Sequence, residues 1–277
     1  MKLHVINTGN FKLDGGAMFG VVPKSIWHKL NPADENNLCN WAMRCLLIED
    51  GDRLILIDNG LGDKQDAKFF SHYYLNGNDN LIASLQSAGF SPDDVTDMFL
   101  THLHFDHCGG GVKIESGKLA LTFKNAQYWS TEEHWNLALK PNAREKASFL
   151  KENILPMQES GHLKFVKEGE TPFRQFDILF SSGHTDKMMV PKIKYKDRVV
   201  CYMADLLPSV GHLPMPYIMA YDTRPLLSMQ EKEKFLNEAV DNKYVLFFEH
   251  DPVNECCTLV RTEKGIRADK TFRLSEL

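Results

Sequence analysis

Residues 101–111 read Thr-His-Leu-His-Phe-Asp-His-Cys-Gly-Gly-Gly and directly follow an apolar run. This stretch places His102, His104, Asp106 and His107 within six residues. Neutral imidazoles and carboxylates are the side chains that bind zinc and similar divalent ions. In an α-helix these four positions lie on different faces, so we expect a loop at the end of a strand to carry them. The stretch therefore predicts a metal site, and Cys108 is either a further ligand or a small buried apolar residue.

Three later apolar segments predict strands, and each strand runs into another potential ligand. Residues 176–180 precede His184, residues 198–203 precede Asp205, and residues 244–248 precede His250. In layered α/β proteins, functional groups from distant parts of the chain gather at one end of a sheet. We therefore expect these three residues to join the histidine-rich stretch in a single site.

The remaining pattern alternates strands and helices. Residues 41–49 and 53–58 predict a hairpin around Asp50-Gly51-Asp52, because Asp and Gly favour the turn between two apolar runs. Periodicity and capping residues predict helices over residues 80–88, from Thr131 onward, over 144–155 ending before Pro156, and over 228–240. The glycine pair within residues 11–23 predicts a turn, and its apolar neighbours either plug the core or line a pocket.

Composition and charge exclude several classes of protein. The net charge is −5 and the pI is about 6.1, without a dense basic stripe, which argues against a nucleic-acid partner. No apolar run approaches the roughly 18 residues of a membrane span. The first residues already alternate like a strand and lack a signal-peptide pattern, so we expect a cytoplasmic protein without a membrane partner. The six cysteines lack Cys-x-x-Cys spacing, so we expect them to be reduced.

The order His-x-His-x-Asp-His, then His, Asp and His, resembles the metallo-β-lactamase superfamily of metal-dependent hydrolases. The resemblance covers essentially the whole chain and implies one domain over residues 1–277. The implied fold is an α/β αββα sandwich with four layers, in which two β-sheets lie face to face with helices outside. The segments over residues 13–23, 204–208 and 247–251 resemble quorum-quenching N-acyl-homoserine lactonases and methyl parathion hydrolase-like proteins.

The resemblance also implies a ligand set. One metal is expected on His102, His104 and His184, a second on Asp106, His107 and His250, and Asp205 is expected to bridge both. Two divalent ions can activate a shared water as a bridging hydroxide at neutral pH. Zinc is the favoured metal, and manganese, iron and cobalt are the alternatives. Asp106 is the expected catalytic residue, because the related lactonases imply that it carries a proton to the leaving alkoxide.

Substrate recognition is expected from Met18, Phe19, Phe105 and His212, which would suit an acyl chain or an aryl group. Candidate partners for the metal ligands are Thr101, Asp58, Asp186 and Asp251. Two positions depart from the family pattern. Many relatives follow the third ligand histidine with Thr-Pro-Gly, whereas His184 is followed by Thr185-Asp186-Lys187, and some lactonases have a tyrosine where this chain has Pro208.

The sequence therefore predicts a dinuclear metal-dependent hydrolase that opens lactone rings of the N-acyl-homoserine type, with a small-molecule substrate. A phosphotriester, phosphoester or carboxylester hydrolase is the alternative within the same fold. A nuclease fits the negative net charge of the chain less well. Redox di-iron relatives usually replace the second histidine of the motif with glutamate, whereas His104 fills that position here. The apolar loops beside the site are compatible with a homodimer.

Overall fold

The computed structural model describes all 277 residues, Met1–Leu277. The chain forms two compact units. Unit 1 comprises Met1–Asn10 and Met43–Glu170, and unit 2 comprises Phe11–Ala42 and Thr171–Leu277. The expectation of one domain over residues 1–277 stays a prediction. None of the helices combines the length and the apolar character that a membrane span needs.

Strands and helices alternate along most of the chain. The strands are β1 (Lys2–Asp14), β2 (Leu38–Asp50), β3 (Arg53–Ile57), β4 (Asp97–Phe99), β5 (Val112–Glu115), β6 (Lys118–Leu121), β7 (Gln127–Ser130), β8 (Leu163–Phe165), β9 (Phe176–Ser181), β10 (Met188–Tyr195), β11 (Arg198–Tyr202), β12 (Val245–Phe247), β13 (Cys256–Thr262) and β14 (Gly265–Phe272). The helices are α1 (Gly15–Phe19), α2 (Lys24–Trp27), α3 (Ala67–Ser71), α4 (Leu81–Ser87), α5 (Phe105–Cys108), α6 (Glu132–Leu139), α7 (Lys151–Glu159) and α8 (Pro225–Asp241).

The first six-stranded sheet has the order β1-β2-β3-β4-β7-β8. The hairpin β2–β3 is antiparallel, and β3, β4, β7 and β8 run parallel. Parallel neighbours end at the same edge of a sheet. Asp58 follows β3 and the histidine-rich stretch follows β4, so this topology brings the two together at that edge of unit 1.

The second six-stranded sheet, in unit 2, has the order β14-β13-β12-β11-β10-β9. Strands β11 and β12 are parallel, and β9 runs in the same direction because two antiparallel pairings separate it from β11. The last residues of β9, β11 and β12 are Ser181, Tyr202 and Phe247, and a predicted ligand lies three residues beyond each of them. Equal spacing from three strands of one direction explains why His184, Asp205 and His250 meet.

The core of unit 1 explains why the sequences of β2 and β3 are almost continuously apolar. Cys45, Leu47, Leu54 and Leu56 belong to a buried cluster that also includes residues of β4, β7 and helices α4, α6 and α7. The intervening residues of both strands, such as Leu46 and Ile55, are buried as well. Both faces of this hairpin are therefore covered, as the sequence predicted.

Helix α7 differs from the sequence prediction of a helix over 144–155 that ends before Pro156. The helix begins at Lys151 and contains Pro156. Its start is late because the Asn142 side chain accepts hydrogen bonds from the backbone N–H groups of Arg144 and Glu145, which forms a turn. It continues through Pro156 because Met157 on the far side is fully buried in the core, and tertiary packing overrides the poor helix propensity of proline.

The histidine-rich stretch is not a loop throughout, contrary to the prediction. His104 is the N-cap of α5, a single helical turn that carries Asp106 and His107. The argument against a helix holds for all four ligands together, but it does not forbid a turn that begins after the second one. The stretch therefore combines an extended part with a short helix.

The glycine pair near the amino terminus begins helix α1 instead of a free turn. Asp14 caps this helix, because its Oδ1 accepts a hydrogen bond from the backbone N–H of Ala17 at 2.8 Å. Gly15 is required by close packing, since a Cβ there would lie 2.3 Å from Cη2 of Trp27.

We expect Gly15→Ala to destabilise the protein by about 1–3 kcal/mol, because the added methyl group would force the buried Trp27 ring to move. The free energy of unfolding, measured by urea denaturation, tests this. Gly16→Ala is the matched control, because its Cβ would meet nothing nearer than Asp14 Oδ1 at 3.0 Å. Equal stability of the two variants would contradict the expectation.

Candidate metal centre

Unit 1 contains two histidines whose ring nitrogens face each other. Nε2 of His102 lies 3.1 Å from Nδ1 of His104. On the outer side, Nδ1 of His102 lies 3.1 Å from Oγ1 of Thr101, and Nε2 of His104 lies 3.8 Å from Oε1 of Glu145. The hydroxyl of Thr101 can donate to Asp58 Oδ2 at 2.7 Å, so its oxygen is able to accept from His102. With their protons on the outer nitrogens, the two rings present lone pairs to one position, which fits a cation.

Asp58 organises the other end of the same stretch. Its carboxylate accepts from the backbone N–H of Thr101 at 2.8 Å and from Nδ1 of His107 at 3.1 Å. Asp58 and His107 are both fully buried. A carboxylate only accepts, so the proton of His107 lies on Nδ1 and Nε2 keeps its lone pair. Asp106 is 8 % exposed, and its Oδ2 lies 3.8 Å from Nε2 of His107.

Unit 2 contains a carboxylate with one histidine at each oxygen. Nε2 of His184 lies 3.1 Å from Oδ2 of Asp205, and Nε2 of His250 lies 3.1 Å from Oδ1. The Nδ1 atom of His184 donates to Asp222 Oδ1 at 2.8 Å, and that of His250 donates to the carbonyl of Ala42 at 2.8 Å. These acceptors leave both Nε2 atoms available as donors to a metal.

The electrostatics of His184 favour a positive charge at this position. Burial by itself lowers the pKa of the ring, but the carboxylates of Asp205 and Asp222 outweigh it and raise the pKa of His184 to about 10. In the protein without metal the ring therefore binds a proton at neutral pH. A divalent cation can supply the same positive charge, so the residues fit a metal ion.

The predicted substrate residues of unit 2 lie together. Phe19 stacks on His212 with ring centroids 4.5 Å apart, and both side chains are almost fully buried. Nε2 of His212 donates to the carbonyl of Met18 at 2.9 Å, and Nδ1 lies 2.8 Å from Oγ of Ser209. Burial lowers the pKa of His212 to about 3, so the ring is neutral. His212 thus fastens helix α1 to residues 208–216, a segment that contains Pro208, Pro214 and Pro216.

Phe105 lies in unit 1, where its ring packs against an aromatic cluster. The ring centroids of Tyr73 and Phe69 lie 4.7 and 5.4 Å from that of Phe105. Burial first, and then the charge of Asp106, raise the pKa of Tyr73 to about 12, so its hydroxyl keeps its proton.

Sequence reasoning found some partners of the ligands and missed others. Thr101 contacts His102 and Asp58 contacts His107, both candidate ligands. Asp186 pairs with Arg224, and Asp251 accepts from the backbone N–H groups of Val210 and Asn254.

Two partners of the candidate ligand histidines were not predicted from the sequence. Asp222 lies 38 positions beyond His184, and Glu145 lies 41 positions beyond His104 (145 − 104). Neither follows a predicted strand. The only available signal was that each histidine ligand needs an oxygen acceptor for its second ring nitrogen.

Cys108 is fully buried. Burial raises the pKa of its thiol to about 12, and its Sγ lies 3.4 Å from the carbonyl oxygen of Leu103. These properties favour the reading of a small core residue over that of a metal ligand.

Comparison with known proteins agrees with the fold. The sequence profile of the metallo-beta-lactamase superfamily matches residues 44–250, which is about three quarters of the chain. The solved structure of a probable metal-dependent hydrolase from Staphylococcus aureus superposes with a TM-score of 0.90 at 28% identity, covering 100% of this chain and 98% of that one. The metallo-β-lactamase fold predicted from the sequence is confirmed.

Two lactonases are also similar. An N-acyl homoserine lactonase from Bacillus cereus is 26% identical over 194 residues, which is 66% of this chain and 66% of the relative, just under two thirds of its length. The structure of AidC, a dizinc quorum-quenching lactonase in complex with the product N-hexnoyl-L-homoserine, has a TM-score of 0.79 at 24% identity and covers 99% of this chain and 97% of AidC. At that identity the second likeness concerns the fold alone.

Proposed function

The chain belongs to the metallo-β-lactamase superfamily of metal-dependent hydrolases, and on that premise we propose that it is a dinuclear hydrolase that opens N-acyl-homoserine lactone rings. The observation that carries the dinuclear assignment is the placement of His184 and His250 at opposite oxygens of Asp205. A carboxylate with a histidine at each oxygen suits a ligand that bridges two cations. The lactone class is supported by relatives named N-acyl homoserine lactonase.

In this proposal the two ligand sets act together. His102, His104 and His184 would hold one ion, Asp106, His107 and His250 would hold the other, and Asp205 would serve both. Nitrogen and carboxylate donors suit zinc, and they also admit manganese, iron and cobalt. The hydrogen-bonded outer nitrogens of the rings support the assignment, because they fix the tautomers that ligation needs.

The chemistry divides between the ions and the protein. When bound, two divalent ions would lower the pKa of a shared water and polarise the carbonyl group of the substrate. Asp106 would accept the proton that the attacking water loses and pass it to the ring oxygen of the lactone as the bond from that oxygen to the carbonyl carbon breaks, so that the oxygen leaves as a hydroxyl group. Its low exposure of 8 % shields this proton from bulk solvent.

Substrate recognition belongs to Met18, Phe19, Phe105 and His212 in the same proposal. Phe105 and its aromatic neighbours Phe69 and Tyr73 offer an apolar surface for an acyl chain. Phe19 and His212 are stacked and buried, so we propose that they act by holding the backbone of Met18 in place. The homodimer and the cytoplasmic location remain predictions.

Pro208 favours the alternative of phosphotriester hydrolysis. Some related lactonases have a tyrosine at this position to hold the substrate carbonyl, and proline cannot donate a hydrogen bond there. A phosphotriester presents a phosphoryl oxygen instead of a carbonyl oxygen, and the same two ions would polarise it.

The experiment compares turnover of an N-acyl-homoserine lactone with that of an aryl phosphotriester on zinc-reconstituted protein. We expect kcat/KM for the lactone to exceed that for the phosphotriester by at least ~10-fold, and His104→Ala to lose both activities, since the variant lacks a ligand of one ion. His72→Ala, an exposed histidine of unit 1, is the matched control. A preference for the phosphotriester would refute the lactone assignment, and full hydrolysis by His104→Ala would refute the dinuclear one.

A further inference from the structure

The loop that carries His184 is fastened to helix α8 where it leaves strand β9, at residues 181–183. The carboxylate of Glu231, on α8, accepts hydrogen bonds from Oγ of Ser181 at 2.7 Å, from the N–H of Ser182 at 2.8 Å and from the N–H of Gly183 at 2.9 Å. Two backbone amides and a hydroxyl therefore share one charged acceptor. Bonds to a charged acceptor are stronger than neutral ones, so this end of the loop is held firmly.

The segment that enters α8 holds the other side of the same loop. The backbone N–H groups of Thr223 and Arg224 donate to the carbonyls of His184 and Gly183 at 3.0 and 2.8 Å. A Cβ on Gly183 would lie 2.3 Å from the backbone nitrogen of Ser228, so the loop lies directly against the first turn of α8. The position of His184 is thus set by residues 222–231.

Asp222 begins this segment and contacts the His184 ring itself. Its Oδ1 lies 2.8 Å from Nδ1 of His184, and the residue is 3 % exposed. A buried carboxylate at this distance fixes the proton on Nδ1, aligns the ring, and makes Nε2 a better donor. Asp186, in the same loop, instead pairs with Arg224 at the surface.

We propose that Asp222 is a positioning residue, which holds Nε2 of His184 toward its metal and strengthens it as a ligand. The inference rests on the proposed function only in taking His184 as a metal ligand. It does not depend on the identity of the substrate.

The test compares metal affinity in two variants by competition with a chromophoric chelator. Asp222→Ala removes the acceptor, and we expect zinc to bind ~10–100-fold more weakly. Asp222→Asn keeps the shape and one acceptor oxygen but loses the charge, so we expect an intermediate affinity. Asp186→Asn is the matched control, because it removes the same charge from the same loop at an exposed ion pair, and we expect affinity within about twofold of wild type.

Cobalt-substituted protein supplies a readout that a purely structural role would not change. We expect the d–d absorption bands to shift in the order wild type, Asp222→Asn, Asp222→Ala, because the donor strength of His184 falls in that order. Unchanged bands and affinity in both variants, with metal lost from His184→Ala, would overturn the role of Asp222 alone. Two ions retained by His184→Ala would instead overturn the proposed ligand set.

Discussion

Asp205→Asn is expected to reduce bound zinc to one ion or fewer per chain and to lower kcat/KM for hydrolysis by at least ~10³-fold. In the native carboxylate each oxygen lies 3.1 Å from the Nε2 atom of a histidine. Asparagine has almost the same shape but is neutral, and it replaces one oxygen with an NH₂ group that cannot bind a cation. The loss of several kcal/mol of charge stabilisation corresponds to this rate effect at 1.36 kcal/mol per tenfold.

The measurement pairs metal analysis with steady-state kinetics on the same protein samples. Asp186→Asn is the control, since it makes the same chemical change at a carboxylate that pairs with Arg224. Circular dichroism checks that both variants are folded. If Asp205→Asn kept two ions and near wild-type kcat/KM, Asp205 could not be the shared ligand.

The candidate ligand positions could be predicted from the sequence because they depend on local chain geometry. Four of them lie within a six-residue stretch, and three follow strands of one direction by an equal spacing of three residues. The sequence did not predict the directions of these strands. The rule that functional residues follow strand ends was nevertheless enough to predict that His184, Asp205 and His250 lie together. The structure places His184, Asp205 and His250 together within unit 2, as that rule predicts.

The partners of those ligands were harder to foresee, because they depend on tertiary packing. Asp222 belongs to the segment entering α8, and Glu145 lies in a turn where the sequence suggested a helix. A single acidic residue outside a strand end has no pattern that separates it from a solvated surface residue. Only the fold decides which carboxylate reaches an imidazole.

Several strands were also missed for physical reasons. Strand β10 contains Pro191 and lies between β9 and β11, whereas proline normally argues against a strand inside a sheet. Strand β14 is the edge of the same sheet and β13 is its neighbour, and exposed charged residues such as Lys270 and Arg261 leave little apolar alternation in these two strands. An edge strand with one solvated face gives a weak sequence signal.

Removal of the metal is expected to make stability depend on pH. Metal that binds only the folded chain stabilises it by about 2.7 kcal/mol per site when free metal is 100 times Kd. Without metal, the pKa of His184 is about 10 in the folded chain, against 6.5 for an ordinary histidine. Protonated His184 therefore stabilises the folded chain without metal. Its contribution to the free energy of unfolding is complete below about pH 6.5 and is lost as the pH rises through 10. We therefore expect the stabilisation by metal to grow from pH 6.5 to 10.

Urea denaturation of chelated and zinc-loaded protein across this range measures the difference. Lys232 acts with the opposite sign, because burial lowers its pKa to about 7 and stability then rises as this lysine loses its proton. It donates to the carbonyls of Pro214 and Tyr217. Because Lys232 makes the same contribution in the chelated and the zinc-loaded protein, it cancels in the difference between their free energies of unfolding. His184→Ala should lose the pH dependence of that difference, and equal stability of the chelated and loaded wild-type proteins at every pH would contradict metal binding at these residues.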